Sequence, residues 1–314
     1  MNDRSRTVST TPLAEKQPSP VLFTFEAWKQ EVVQRIQSAL KHALPASDKH
    51  PTRLHEAMRY AALGAGKRLR PLLCHAAGEA AAASLEALDV VGAALELIHV
   101  SSLIHDDLPA LDNDSLRRGV ATVHVQYDEA TAILAGDALL ARAFEVLSRA
   151  PVPENTKARL MGEAATACGS SGIAGGQMID ISSIDTEIDL ALLEQMHRMK
   201  TGALIQASVR MGALCAEHTV LNLESLDRYS AALGLAFQIV DDILDATSDT
   251  QTLGKTAGKD AAAHKPTYVS VLGLERSTEL AHQLGEQAHD ALKTLAGRTD
   301  RLHGLTNLII KRLR

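Results

Sequence analysis

Two short segments place adjacent aspartates at the end of an apolar stretch. The first reads Leu103-Ile104-His105-Asp106-Asp107-Leu108-Pro109-Ala110-Leu111-Asp112-Asn113-Asp114, the second Ile239-Val240-Asp241-Asp242-Ile243-Leu244-Asp245. Carboxylates gathered in this way are costly to bury unless something neutralises them. Asp241 and Asp245 are four residues apart and share a helical face, where like charges repel unless a cation bridges them. Hard oxygen ligands with no cysteine nearby suit Mg²⁺, which keeps waters and completes its shell with phosphate oxygens. Asp106 and Asp112 are six apart with Pro109 between them, so a regular helix does not align them. A local unwinding has to bring Asp112 round. Solvated helix ends explain one such cluster well enough; two in one chain favour metal.

Basic residues supply the matching charge. Gly64-Ala65-Gly66-Lys67-Arg68-Leu69-Arg70-Pro71 joins a glycine break to a basic run, with Lys67 and Arg70 as donors to phosphate. The spacing is not that of a P-loop. Arg117-Arg118-Gly119 follows the first aspartate cluster directly, Lys200-Thr201-Gly202 closes a charged stretch, and Lys255, Lys259 and Lys265 follow the second cluster. Carboxylates, metal and basic groups ringed around diphosphate is the constellation these residues can build. For Lys259 an ordinary surface position is the better reading.

The elements that must position these residues read as helices almost throughout. Trp28, Val32, Val33, Ile36, Leu40 and Leu44 recur at spacings of three and four and end near Pro45. Further helices are predicted over 51–64, 69–81, 85–107, 127–149, 156–170, 189–215, 223–246 and 277–296. Breaks are expected at Gly64-Ala65-Gly66, Pro109, Pro151-Val152-Pro153 and Gly175-Gly176. No stretch alternates with the period of a strand. The fold class that follows is all-α, one domain of roughly ten helices over 21–314, behind a polar Ser/Thr/Pro leader over 1–20 that reads as disordered.

Composition agrees. Aromatics are 3% of the chain, and its apolar content is mostly Ala and Leu, which favour helix. A net charge of −6 offers no field for nucleic acid. Cys74, Cys168 and Cys215 lack any zinc spacing and read as free thiols in a reducing compartment. No signal sequence or membrane-spanning run stands out, so a cytoplasmic protein without stable membrane insertion is expected.

The segments GAGKRLRP, SSLIHDDLPALDNDSLRRG, LAGDALL, KTGALI and FQIVDDILD resemble the short-chain all-trans isoprenyl diphosphate synthases, especially bacterial farnesyl and geranylgeranyl diphosphate synthases. The resemblance runs from about residue 25 to the C-terminus, with the motifs in the same order. It implies a large helical bundle around a deep central cavity, a homodimer, and Mg²⁺ as cofactor with Mn²⁺ as a possible substitute. It implies Asp106 and Asp112, with Asp107 alongside, as metal ligands of the first motif. It also implies that Asp241 holds a further ion, supported by Asp242 and Asp245. Arg117, Lys200, Thr201, Gln238 and Lys255 match positions contacting an allylic diphosphate, with Lys200, Thr201 and Gln238 nearest the chemistry. Lys67, Arg70, His99 and Arg118 match those holding isopentenyl diphosphate. The implied reaction ionises the allylic diphosphate, and the isopentenyl double bond attacks the resulting cation.

Relatives making farnesyl chains usually carry an aromatic five positions before the first Asp. Here that position is Ser101, followed by Ser102, which favours C20 over C15 with Leu97 and Ile98 as the floor, unless Phe144 closes the cavity from another helix. The basic tail Lys311-Arg312-Leu313-Arg314 either folds over isopentenyl diphosphate or is a plain terminus. Three rivals compete. Glu96-Leu97-Ile98-His99 and Glu194-Gln195-Met196-His197 have the ExxH form of di-iron bundles. A terpene cyclase also uses aspartate-bound Mg²⁺, but has no need of a second diphosphate pocket. A non-catalytic modulating subunit would be expected to lose an aspartate cluster.

Overall fold

The computed structural model describes residues 24–217, 222–247 and 265–313. Helix α1 (Phe25–Ala43) buries Trp28, Val32, Ile36 and Leu40, one residue per turn. The Thr24 hydroxyl caps it by accepting from the Ala27 N–H at 3.2 Å. Next come α2 (Thr52–Leu63), α3 (Leu69–Ala80) and α4 (Leu85–Asp106). Apolar residues cover the whole circumference of α4, the pattern of a helix enclosed by others. Among the described residues α4 alone is long and apolar enough to cross a membrane, yet 72% of that stretch is buried inside the molecule. Its apolar surface belongs to the core.

After α4 a two-stranded hairpin, Leu116–Arg117 with Val120–Ala121, leads into α5 (Val123–Gln126) and α6 (Glu129–Ser148). The chain continues through α7 (Glu154–Cys168), α8 (Ile173–Ser182), α9 (Leu190–His197), α10 (Ala203–Leu214) and α11 (Leu223–Thr247). A π-turn, Arg198–Gly202, joins α9 to α10. The last helices are α12 (Tyr268–Leu272), α13 (Leu274–Leu292) and α14 (Asp300–Ile310), ending in a 3₁₀ turn, Lys311–Leu313.

Helices α3, α4, α10 and α11 pack together at the centre. Around them, α1 lies on α3 and α4, α6 on α4, α7 on α10, and α13 on α11. The predicted helices match closely, with two exceptions. The predicted break at Gly175-Gly176 falls inside α8, which buries only Gly176, Gln177 and Asp180 and so shows no apolar stripe. The hairpin, α5, α12 and α14 lay outside the predicted spans. Residues 1–20, Lys255 and Lys259 lie outside the described residues.

Candidate active site

A cavity of about 580 Å³ opens where α3, α4, α8, α11 and the π-turn meet. Asp106 and Asp112 both line it. Helix α4 stops at Asp106, and the chain then folds back on itself. The Asp112 N–H donates to the Asp106 carbonyl at 2.8 Å and the Asp114 N–H to the Asp107 carbonyl at 3.1 Å, with Asn113 at φ 48°. This is the unwinding that the six-residue spacing requires. Burial raises the Asp106 carboxyl above its ordinary value, with Lys200 opposing.

Asp107 departs from its expected role. It is not part of the cavity lining and instead accepts from Arg117 Nε at 3.0 Å, while Arg117 Nη2 reaches Asp114 at 3.1 Å. Burial raises the Asp107 carboxyl to about 6, opposed by Arg117. Burial works against the Arg117 charge, but Asp107 and Asp114 outweigh it and keep the guanidinium cationic. The pair therefore fixes Arg117 at the cavity edge.

On α11, Asp241 and Asp242 line the cavity, whereas Asp245 is buried outside the lining. Thr201 Oγ1 donates to Gln238 Oε1 at 2.9 Å, and Gln238 Nε2 donates to Asp242 Oδ1 at 2.8 Å. The Tyr268 N–H holds the other Asp242 oxygen at 2.9 Å. Gln238 thus links the π-turn to the second aspartate cluster. The π-turn itself presents Lys200 and Thr201, and such turns recur at functional sites.

Asp180 on α8 is a site residue that the sequence motifs do not mark. Its buried carboxylate oxygen Oδ2 accepts from Lys200 Nζ at 2.7 Å and from Lys265 Nζ at 2.9 Å, and Lys265 also reaches Asp112 Oδ1 at 2.8 Å. Burial would raise the Asp180 carboxyl, but the two lysines hold it below its ordinary value. A Cβ on Gly176 would lie 2.2 Å from the Lys200 backbone nitrogen, so glycine is what lets α8 press against the π-turn. One aspartate in Gly-Gly-Gln-Met-Ile-Asp looks like any other; its only sequence signal is lying four residues beyond that glycine.

Lys67, Arg70, His99, Arg117 and Arg118 all line the cavity. Arg68, at φ 50° and 3% exposed, locks the preceding loop by donating to Glu96 at 2.6 Å and to the Gly64 carbonyl at 2.7 Å. A Cβ on Gly66 would lie 2.5 Å from the Arg118 guanidinium, so this glycine gives Arg118 its place. Burial lowers the Arg70 guanidinium to about 10, still cationic at neutral pH. Burial, reinforced by Arg70 and Arg118, pushes His99 well below its ordinary 6.5, leaving a neutral ring. Glu96, buried between Arg68 and Arg118, went unassigned in the sequence except as half of an ExxH pair. Glu194 pairs with Arg198. Neither glutamate is left as an iron ligand.

Among the described residues no three His, Cys, Asp or Glu side chains converge on one point. That still fits Mg²⁺, which needs only one or two carboxylates when phosphate and water complete its shell. Two internal cations already mark the places: Lys265 on Asp112, and Arg312 Nη2 on Asp241 Oδ1 at 2.7 Å. Oxygen donors and resident positive charge agree with a divalent cation at each.

The family model for polyprenyl synthetase matches residues 51–297. This chain belongs to the polyprenyl synthetase family. The "Probable farnesyl diphosphate synthase" of Bradyrhizobium diazoefficiens is 50% identical to it over 282 residues, covering 88% of this chain and 85% of that protein. The farnesyl diphosphate synthase of Escherichia coli is 45% identical over 287 residues, covering 89% and 96%. Among solved structures, the geranyltransferase of Helicobacter pylori complexed with magnesium and isoprenyl diphosphate superposes with a TM-score of 0.82. It shares 31% identity and covers 94% of this polyprenyl synthetase and 99% of its own chain. The all-α fold with a central cavity is the family's.

Proposed function

We propose that this polyprenyl synthetase condenses isopentenyl diphosphate with allylic diphosphates to extend a trans-prenyl chain. One observation carries the reading. A single cavity holds both a carboxylate–lysine group suited to a metal-bound diphosphate and a separate arginine–histidine group suited to a second diphosphate. A cyclase has no use for the second group, and a modulating subunit has no use for two complete aspartate clusters.

Asp106, Asp112 and Asp241 would hold Mg²⁺, or Mn²⁺ in its place. When bound, Mg²⁺ supplies positive charge to the departing diphosphate. Lys200 and Arg117 bind the allylic diphosphate, a role the sequence also suggests for Lys255, which lies outside the described residues. Lys67, Arg70, His99 and Arg118 hold isopentenyl diphosphate, with His99 donating a hydrogen bond as a neutral ring. Thr201 and Gln238 direct oxygen dipoles towards the allylic carbon as its C–O bond breaks. A new C–C bond then forms from the isopentenyl double bond, and the released diphosphate takes the proton. Asp107, Asp242 and Asp245 support these groups through Arg117, Gln238 and the α11 core.

The expectation of a C20 product rested on Ser101. That side chain is 4% exposed, donates to the Ile98 carbonyl at 2.8 Å and takes no part in the lining, where Ser102 and Leu103 appear instead. With relatives at 50% and 45% identity bearing the farnesyl name, the reading moves to C15 as main product. A homodimer in the cytoplasm completes the proposal. Its support is an apolar strip exposed along α5 and α6, including Val125, Ile133 and Leu134.

The test incubates purified protein with isopentenyl diphosphate and C5, C10 or C15 allylic diphosphates, with Mg²⁺ or EDTA, and analyses the dephosphorylated products. Mg²⁺-dependent C15 from the C5 and C10 primers is expected. Efficient use of the C15 primer would restore the C20 reading, and no elongation from any primer would end the enzymatic one.

A further inference from the structure

Asp180 is the meeting point of two lysines from different parts of the chain. Lys200 comes from the π-turn and Lys265 from the segment before α12, and both donate to the same oxygen, Oδ2, at 2.7 and 2.9 Å. The Asp180 side chain is only 6% exposed, so this is not a casual surface pair. Lys265 is also divided between two carboxylates, with its second bond running to Asp112 Oδ1 at 2.8 Å. An ammonium group has three donors, so each lysine can keep Asp180 and still offer hydrogen bonds to a phosphate. Asp112 is the carboxylate that a divalent cation needs. Lys265 competes for it.

We propose that Asp180 is a positioning residue that anchors Lys200 and Lys265 together and draws Lys265 off Asp112, so that Asp112 can take a divalent cation while both lysines face the diphosphate. The inference rests on the function proposed above for this cavity. Although Asp180 lines the cavity, the role assigned to it is exerted through the two lysines it holds. Without its charge, Lys265 has Asp112 as its remaining carboxylate partner among these contacts and blocks the metal more firmly. Lys200 loses the contact that fixes its head group. The arrangement also accounts for Gly176, which brings α8 close enough for Asp180 to reach Lys200.

The experiment measures Mn²⁺ binding by electron paramagnetic resonance, with no substrate present, alongside steady-state kinetics on the full-length protein. Asp180→Asn is expected to weaken Mn²⁺ binding about tenfold and lower kcat/KM for the allylic substrate about a hundredfold, the scale of a lost charge-assisted contact. Asp180→Glu keeps the charge and should hold Mn²⁺ affinity within about threefold of the parent, at the scale of coupling left when a charge is retained. Adding Asp180→Asn to a Lys265→Gln background should leave Mn²⁺ affinity unchanged, because the lysine through which Asp180 acts on Asp112 is already gone. Unaltered Mn²⁺ affinity in Asp180→Asn, or an equal loss in the Lys265→Gln background, would overturn the proposal. Should Asp180→Asn not fold, Lys265→Gln carries the test alone. Asp112, relieved of its lysine, should then bind Mn²⁺ severalfold more tightly, and unchanged or weaker binding would reject the competition. Because the metal readout needs no turnover, a failed prenyl-transfer assay of the parent protein would count against the function and not against this anchor.

Discussion

Thr201, Gln238 and Asp242 form one line of hydrogen bonds, so the middle residue is where a substitution does most damage. Gln238→Leu leaves the Thr201 hydroxyl and an Asp242 oxygen without this partner, a loss of about 1–3 kcal/mol for a buried group. Single-turnover ionisation should slow about tenfold to a hundredfold, with little change in substrate affinity. An unchanged single-turnover rate would remove Gln238 from the chemistry. His197 tests electrostatics at the same scale. Its buried ring stacks on Tyr268, and burial lowers its pKa to about 4. The folded value lies below the unfolded one, so this histidine's contribution is complete above pH 6.5 and is lost as the pH falls towards 4. His197→Phe keeps a ring against Tyr268 and removes the titration. Parent stability should fall relative to the variant by about 3 kcal/mol between pH 7 and pH 4, measured by urea unfolding. A constant difference would show that His197 titrates normally. Single residues of this kind differ in how far the sequence reveals them. Paired aspartates stand out because adjacent like charges in an apolar context need a reason. Asp180 has no such neighbour, and its meaning comes wholly from two lysines distant in the chain. Asp107 was seen as a carboxylate in the right place, but its side chain serves Arg117, which spacing alone does not tell.

Helix α8 and the π-turn meet backbone to backbone at the site itself. Gly176→Ala would set a methyl group 2.2 Å from the Lys200 nitrogen, so the two backbones must separate. We expect a cost of about 1–3 kcal/mol from overpacking and, through displaced Lys200, a tenfold or greater fall in kcat/KM. Thermal unfolding and steady-state kinetics check both numbers. Full activity would mean that Lys200 does not depend on this approach. The same contact explains why α8 was hard to read. Two adjacent glycines signal a break when the chain is taken alone, and here they serve close packing instead. Long helices were legible because their burial is periodic, as in α1, or extends over most of their length, as in α4. The fold-back after Asp106 was legible in outline too, since six residues and a proline exclude a straight helix. Its details, with Asp112 hydrogen-bonded to the Asp106 carbonyl, follow from turn geometry that composition does not carry.

At the scale of the whole molecule, the packing of the described residues leaves apolar side chains on α5 and α6 uncovered. Ile133 is 46% and Leu134 58% exposed on α6, and Val125 on α5 extends the strip. A second copy would cover it, so Leu134→Lys should shift the protein from dimer towards monomer in sedimentation velocity, with its helical circular dichroism retained. A monomeric parent protein would remove the dimer. The bundle itself was legible from helical periodicity and the ordered motifs, whereas the surface left for a partner was not.

In the function proposed above, one cavity gathers a metal-bound diphosphate on the first and second aspartate clusters and a second diphosphate on Lys67, Arg70, His99 and Arg118. The most direct test is a crystal structure with Mn²⁺, isopentenyl diphosphate and a non-ionising allylic thiolodiphosphate, read by anomalous scattering at the manganese edge. Mn²⁺ is expected at Asp106 and Asp112 and again at Asp241, with Lys265 and Arg312 moved off those carboxylates and a metal-free diphosphate on the arginines. Manganese absent from both clusters, or both diphosphates gathered at one end, would contradict it.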